Sequence, residues 1–486
     1  MALESTVLIE ACADAVMGAD LERGSLHEAL AATGHRLRHG NGTITADAAT
    51  ADDARWLGIK RGDPLLVERR VITDQAGRRS RGDRVALRGR PLRHRCRLRS
   101  RRQRGRKGRR MTRDIGVVDG RLVLDDRVVP GRITIEDDRI AAVEPDPRVP
   151  PDAPLLAPGF VDVHVHGWGG HDAMGDVAAL DGMSRALLRH GVTSFLPTGV
   201  TAPIPALHAF TERVRGWIPA APADGAWPLG FNLEGPLLAE ARRGAHDPSL
   251  LRAPADLEAS ELEPLLDGLR LVTIAPEMPG ALTLIRRLHA LGVRISLGHS
   301  AADIGEARAG YAAGATSTTH LFNAMSGVEH RAPGLAVAAL TDDDVYVELI
   351  ADGEHVHRAL WPLITRAKGV DRLLLVSDAI PLAGVGDGRA RVGGLDIEVV
   401  GLRVTLVGTT TLAGSVIALD DAVRNLVASG VPLPAAVAAA SRNPLDMLGV
   451  TDRGRLAVGQ RADLVELDDD LVVRRVMRGG RWFAAA

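Results

Sequence analysis

The sequence predicts an α/β chain built on a (β/α)8 barrel. Three observations predict it. Eight short apolar runs alternate with helix-like stretches over about 220 residues, the rhythm of parallel β/α architecture. Most of these runs end in a polar residue, at the C-terminal strand edge where such a barrel places its chemistry. Two further groups of short strands with turn signals flank the eight runs, one on each side. In chain order the runs are 159–167, 193–198, 230–236, 269–277, 294–300, 316–325, 346–356 and 373–380. The flanking segments are 115–145 and 453–482, with turns expected at Asp119-Gly120 and Gly479-Gly480. They are expected to pair into one small β domain, giving a first part at 112–157, the barrel at 158–450 and a second part at 451–486.

Composition narrows the class. The chain has 486 residues, 45% hydrophobic and 25% charged, which is ordinary for a globular protein. No apolar run approaches the ~20 residues of a membrane span, and the acidic N-terminus does not read as a signal peptide. Cys12 and Cys96 are the only cysteines, both outside the barrel, so a thiol nucleophile and a Cys-ligated zinc are excluded there. That usage fits a reducing cytoplasm. The net charge of −1 hides a local extreme: residues 88–110 hold twelve Arg, one Lys and no acid. Without those thirteen cations the net charge falls to −14, which disfavours nucleic acid as the partner of the catalytic block. The Arg-rich run at 80–111 has no helical or strand period and reads as an unstructured linker. The catalytic block is expected to start near Met111.

Before that linker, residues 1–79 read as a partial α+β segment. The stretch 21–34 looks like a helix with Ser25 at its N-cap and Glu28 three residues on, 51–59 like a second helix, and 63–78 like two strands joined at a turn. This segment resembles the effector-binding (UTRA) domain of GntR-type repressors, in the stretches 22–34 and 61–77. The resemblance implies a remnant of a ligand sensor, and it leaves open a different class of function, a sugar-phosphate-responsive regulator.

Within the barrel, His164 and His166 lie two residues apart on a strand and point to the same face. Taken alone they are a metal pair or two satisfied polar residues. Glu234 follows apolar Phe231-Asn232-Leu233, where a carboxylate is costly unless paired or ligating, although a surface acid would read alike. His299 and His320 are 21 residues apart, with a helix-like stretch between them. That is one β/α step, and neighbouring strands ~4.8 Å apart let two imidazoles reach one ion. An ion held by Glu234, His299 and His320, with an open position, fits a catalytic site of the Zn2+ type. Asp378 ends the eighth run, as a helix N-cap or as an acid/base. His246 is a loop histidine or a substrate contact.

The segments around these residues are HVHG, NLEGP, GAH, LGHS, THLFNAM, ADGEH and VSDA, in this order. They resemble the amidohydrolase superfamily and, within it, the N-acetylglucosamine-6-phosphate deacetylase family, over nearly all of 112–486. The resemblance implies a distorted (β/α)8 barrel beside a small β domain. It implies hydrolysis of the acetamide of N-acetylglucosamine 6-phosphate, or of its galactosamine epimer, with release of acetate. It makes Glu234 the shared ligand of a divalent ion, with His164 and His166 available for a second. The carbamylated lysine of other amidohydrolases has no counterpart, since Lys60, Lys107 and Lys368 lie at no strand end. The ion is expected to acidify a water and polarise the acetyl oxygen. Asp378 takes the catalytic acid/base role, first accepting the water proton and then giving it to the departing nitrogen. The resemblance gives substrate contacts to Ala245, His246, Asn323, Ala324, Arg331, His355, Leu412, Ala413 and Gly414, with the phosphate near Asn323, Ala324, Arg331 and His355. It also implies a homodimer in which the Arg331 loop reaches a neighbouring subunit. Ser326 and Ala413 depart from the family's usual Pro and Ser, and Trp168 and His171 are expected at the lip of the cavity.

Overall fold

The computed structural model describes residues 115–485 and, before them, the backbone of four strands. The chain divides into two units, residues 1–109 and 110–486. In the first, one antiparallel sheet has the order Ala2–Leu8, Arg79–Leu87, Pro64–Asp74, Leu37–Ala48. The stretch 63–78, expected as two strands joined at a turn, holds one strand, Pro64–Asp74, and the next strand, Arg79–Leu87, begins beyond it. Residues 80–87, expected as the start of an unstructured linker, thus belong to a strand; the rest of that linker, 88–111, and the helices expected at 21–34 and 51–59 lie outside the described residues.

In the second unit each of the eight apolar runs supplies one strand of a parallel barrel. These are β1 (Phe160–Val165), β2 (Val192–Val200), β3 (Phe231–Glu234), β4 (Leu269–Ile274), β5 (Arg294–Leu297), β6 (Ser317–Thr318), β7 (Tyr346–Leu349) and β8 (Leu373–Leu375). They pair in sequence order from β1 to β8. Beyond β8 the seam with β1 is bridged by Asp378 N–H donating to His164 O at 2.9 Å and His166 N–H to Ala379 O at 2.8 Å. All nine residues of β2 are buried, because helices cover the outside and side chains fill the inside. A continuous apolar run is therefore the proper signature of such a strand. Helix α1 (Val177–Arg189) follows β1, started by Asp176 accepting from the Ala179 N–H. Helix α2 (Ile304–Ala312) joins β5 to β6, started by a capping box of Asp303 and Glu306. It fills the expected gap between His299 and His320.

The two flanking segments do form one sheet. Its order is Arg481–Ala484, Val473–Arg478, Leu464–Leu467, Leu155–Pro158, Ile115–Val123, Val128–Glu136, Arg139–Pro145. Leu155–Pro158 is the joint, antiparallel to Leu464–Leu467 on one side and parallel to Ile115–Val123 on the other. One expected turn is misplaced. Asp119-Gly120 lies inside Ile115–Val123, and the chain reverses instead at Leu124–Arg127, where Leu124 N–H donates to Arg127 O. Gly120 is a glycine for closeness: a Cβ there would stand 2.7 Å from the Leu156 side chain and 2.8 Å from Pro154 O.

After β8 comes an element the sequence reading did not anticipate. Strands β9 (Gly388–Val392), β10 (Leu395–Val400) and β11 (Arg403–Leu406) form an antiparallel meander. Ile397, Val399 and Val404 pack with Ile380 and Ala413, which seats it beside the barrel mouth. No helix among the described residues is long and apolar enough to cross a membrane.

Candidate metal centre and substrate cavity

The barrel gathers the predicted side chains at its C-terminal rim. Leu297 and Thr318 are register partners on β5 and β6, so His299 and His320, each two residues further on, emerge at one height. His299, His320 and Asp378 have φ of 45°, 23° and 50°, the left-handed region that costs a non-glycine residue of order 1–3 kcal/mol. Each breaks its strand just past the last ladder pair.

Around Glu234 Oε1 stand His320 Nε2 at 2.9 Å, His299 Nε2 at 3.1 Å and His164 Nε2 at 3.5 Å. The two nitrogens of His299 and His320 are 3.0 Å apart. Around Glu234 Oε2 stand His166 Nε2 at 3.1 Å and His246 Nε2 at 3.6 Å. Asp378 Oδ1 lies 3.2 Å from His166 Nε2 and 3.6 Å from His164 Nε2. All seven groups are buried.

The hydrogen bonds behind the rings say what these atoms carry. His299 Nδ1 faces Arg242 O at 3.0 Å and His166 Nδ1 faces Thr198 O at 3.2 Å. A carbonyl only accepts, so each Nδ1 holds the proton and each neutral ring turns a bare Nε2 toward the carboxylates. His164 Nε2 has no hydrogen-bond partner at all. Lone pairs facing carboxylate oxygens repel unless a cation stands among them. A metal–ligand bond of about 2.0–2.1 Å sets tetrahedral ligands about 3.3 Å apart, close to the spacings seen. The donor set therefore fits a divalent cation. Without one the cluster attracts protons: burial opposes charge on His164, but Glu234 and Asp378 more than offset it and hold its pKa well above the usual range. Burial also opposes charge on His166, and Asp378 and Glu234 lift it to about 9. Burial would raise Glu234 and Asp378, and the imidazoles beginning with His164 pull both below the usual carboxylate range. His246 differs. Burial, with His299 beside it, pushes it down to about 3, so it is neutral, its Nδ1 2.7 Å from Thr201 Oγ1.

Beside this cluster opens a cavity of about 370 Å3, whose lining includes His166, Glu234, His246, His299, His320 and Asp378. The lining also takes in Ala245, Asn323, Ala324 and His355, and Leu412, Ala413 and Gly414. Asn323 Nδ2 donates to His320 O and Leu321 O, which leaves Oδ1 free of that pairing. His355 Nδ1 is 2.6 Å from Asp352 Oδ2, so its other ring nitrogen is the one available to a ligand. Gly414 has φ 69°, and a Cβ there would sit 2.9 Å from Asp378 O. Val392 and Ile397 of the unforeseen meander complete an apolar wall.

Two predicted residues are not in the lining. His164 sits beneath it, fully buried. Arg331 is exposed on the loop that follows Met325 and does not reach the cavity of its own chain. Ser326 pins the start of that loop, donating to Ala302 O and accepting from Leu335 N–H. The lip expectation for Trp168 and His171 needs correcting. Trp168 is buried with its ring 4.9 Å from that of His190, and His171 packs on Gly182 of α1. Both aromatic groups fill the joint between β1 and α1 instead of facing ligand.

The sequence reading missed Glu348, Asp162, Thr201 and Arg242. Glu348 and Asp162 are buried acids inside apolar strands, the same signal that singled out Glu234. Arg242 is the one Lys or Arg among the residues lining the cavity.

The amidohydrolase family profile matches residues 155–483, and the UTRA domain profile matches residues 1–83. An N-acetylgalactosamine-6-phosphate deacetylase of Escherichia coli O157:H7 is 42% identical, over 71% of this chain and 92% of its own. An N-acetylglucosamine-6-phosphate deacetylase of Bos taurus is 41% identical, over 67% and 82%. Among solved structures, the Mycobacterium smegmatis N-acetyl-D-glucosamine-6-phosphate deacetylase, a mutant in complex with N-acetyl-D-glucosamine-6-phosphate, is 38% identical with a TM-score of 0.70, over 76% of this chain and 99% of that one. The Thermotoga maritima N-acetylglucosamine-6-phosphate deacetylase is 33% identical with a TM-score of 0.72, over 76% and 100%. With its profile match spanning the barrel and relatives above 40% identity, the chain belongs to the amidohydrolase family, among the N-acetylglucosamine-6-phosphate deacetylases and their N-acetylgalactosamine-6-phosphate counterparts.

Proposed function

We propose that the chain hydrolyses the acetamide of N-acetylglucosamine 6-phosphate to glucosamine 6-phosphate and acetate, as a step of amino-sugar catabolism. The observation that carries this is the convergence of bare imidazole nitrogens and two carboxylates on the wall of a cavity of about 370 Å3. Glu234, His299 and His320 would hold one divalent ion, which we take as Zn2+ from the nitrogen-rich donor set, and His164 and His166 would hold a second. Such an ion supplies an acidified water and a Lewis acid for the acetyl oxygen. The remaining chemistry belongs to side chains. Asp378 is held ionised, so it can take a proton from the attacking water. It then returns that proton to the amine nitrogen, which is a poor leaving group until protonated. His246, neutral and buried, offers Nε2 as a hydrogen-bond partner to the acetamide. The Ala324 backbone, His355 and the Arg242 guanidinium would serve a phosphate, while Asn323, whose Nδ2 hydrogens are already used, offers its Oδ1 to a sugar hydroxyl. Arg331, exposed and outside its own cavity, would meet substrate only by reaching the cavity of a second copy, in a homodimer. The scarcity of cysteine supports a cytoplasmic setting.

The test is acetate release by the purified, metal-loaded chain. Turnover of N-acetylglucosamine 6-phosphate supports the proposal; turnover of another acetamide with none of this one would sink it. The galactosamine epimer is the second reading, favoured by the 42% identity to the E. coli deacetylase, and the ratio of kcat/KM for the two epimers decides between them. The UTRA match keeps a regulatory reading of residues 1–83, which predicts that the full chain binds a sugar phosphate when the barrel cavity is blocked by substitution.

A further inference from the structure

Glu348 plays no part in the chemistry above, yet its carboxylate lies directly behind His164. It stands in the middle of β7 and is completely buried. An ionised carboxylate in such a place needs donors aimed at it. Three converge on one oxygen: Thr319 Oγ1–H donates to Oε2 at 2.9 Å, His164 Nδ1 lies 3.1 Å away, and the His320 backbone N–H donates at 3.2 Å. The Glu348 carbonyl also accepts from Leu321 N–H at 2.8 Å. The residue thus clamps both sides of the left-handed turn at His320 while facing the back of His164.

The contact with His164 decides a tautomer. With a carboxylate at Nδ1, and the Thr319 oxygen 3.2 Å from the same nitrogen, the ring proton is held at Nδ1. The other nitrogen, Nε2, is then bare, unpartnered, and 3.5 and 3.6 Å from Glu234 Oε1 and Asp378 Oδ1. His299 and His166 reach the same state through backbone carbonyls. His164 is different in being held by a side chain that can be substituted. A carboxylate behind an imidazole fixes the ring's orientation and raises its basicity toward a metal.

We propose that Glu348 is a positioning residue that commits His164 Nε2 to ligation, and so sets the affinity of the second divalent ion, the one at His164 and His166. The inference rests on the metal reading given above. The ion at Glu234, His299 and His320 depends on Glu348 only through the backbone turn and is expected to persist without its side chain.

The experiment is metal binding by the full chain, with Zn2+ titrated into metal-free wild type, Glu348→Gln and Glu348→Leu and bound ion counted by elemental analysis and calorimetry. Wild type is expected to bind two ions. Glu348→Gln retains an acceptor without the charge and is expected to lower second-site affinity by less than Glu348→Leu does. Glu348→Leu is expected to lower it about 10–100-fold, with the first site unchanged. If the leucine variant does not fold, the glutamine variant carries the test, and Co2+ substitution reports each site by its absorption spectrum. Two ions bound with unchanged affinity in the folded variants would overturn the inference alone, as would a wild type that saturates with one ion. A wild type that binds no ion would overturn the metal reading itself.

Discussion

The metal cluster and the rest of the cavity lining, proposed to hold the sugar, are made from different parts of the fold. In the cluster each donor stands on a barrel strand or within three residues of one, is buried, and for His164, His166 and His299 is tied from behind through its second nitrogen. The rest of the lining comes from loops after β3, β6 and β7 and from the segment that returns from the meander to the barrel. Its polar groups are backbone, a half-used Asn323, His355 and one exposed guanidinium. Strand ends fix side chains to within the tolerance that catalysis needs, whereas loops are where specificity can vary without disturbing the barrel. The difference predicts that damage to the first abolishes chemistry, and that damage to the second changes which substrate is held.

The largest effect is expected for Glu234→Ala, which removes the carboxylate that both groups of imidazoles share. Elemental analysis should find its bound metal lost and acetate release abolished. Asp378→Asn comes next. It should keep its metal and lower kcat by about 10²–10⁴-fold, the usual range for removing a general acid/base. If kcat survives, the proton is moved by another group.

His246 tests the boundary between the two through pH. Its folded pKa of about 3 lies below the ordinary value of 6.5. Between those values the unfolded chain binds the extra proton, so stability contributed here is present above pH 6.5 and is lost as pH falls toward 3. His246→Asn should flatten the acid slope of the unfolding free energy across that window. Because His246 is neutral throughout the working range, the same variant should lower kcat without moving the limbs of the pH–rate profile. A shifted limb would show that His246 titrates during turnover.

Smaller again is Arg242→Ala. The backbone carbonyl that holds His299 is kept, so kcat should change little while KM for the phosphorylated sugar rises about tenfold or more, as for loss of a charge-assisted hydrogen bond. KM for the unphosphorylated sugar should not move. The smallest effect is expected for a chain starting at Met111, whose kcat and KM should match those of the full chain; a lost activity would tie residues 1–110 to the site.

The same contrast explains what could be read from the sequence. All eight strands were legible, because buried parallel strands are continuous apolar runs. The donors were legible because a His or acid at the end of such a run has few structural reasons to be there. Glu348 and Asp162 carried the same signal but sat inside their runs, and only the tertiary fold shows which face of the strand each acid takes. The meander was not legible: its strands are short, half-exposed and Gly-bounded, and they resemble a loop until Ile397, Val399 and Val404 find Ile380 and Ala413. Asp119-Gly120 misled for the opposite reason, since its glycine serves close packing against Leu156 and not chain reversal. Arg331 lies where one chain alone gives it no ligand to meet.

The central claim is that lone pairs from imidazoles and carboxylates on separate strands share a cation which makes amide hydrolysis feasible. It is tested most directly by stripping the purified chain with a chelator, measuring acetate release from N-acetylglucosamine 6-phosphate, and adding Zn2+ back in steps with bound metal counted at each. The account predicts no release from the stripped chain and recovery in proportion to the first ion bound. Undiminished release from chain shown to be metal-free would contradict it.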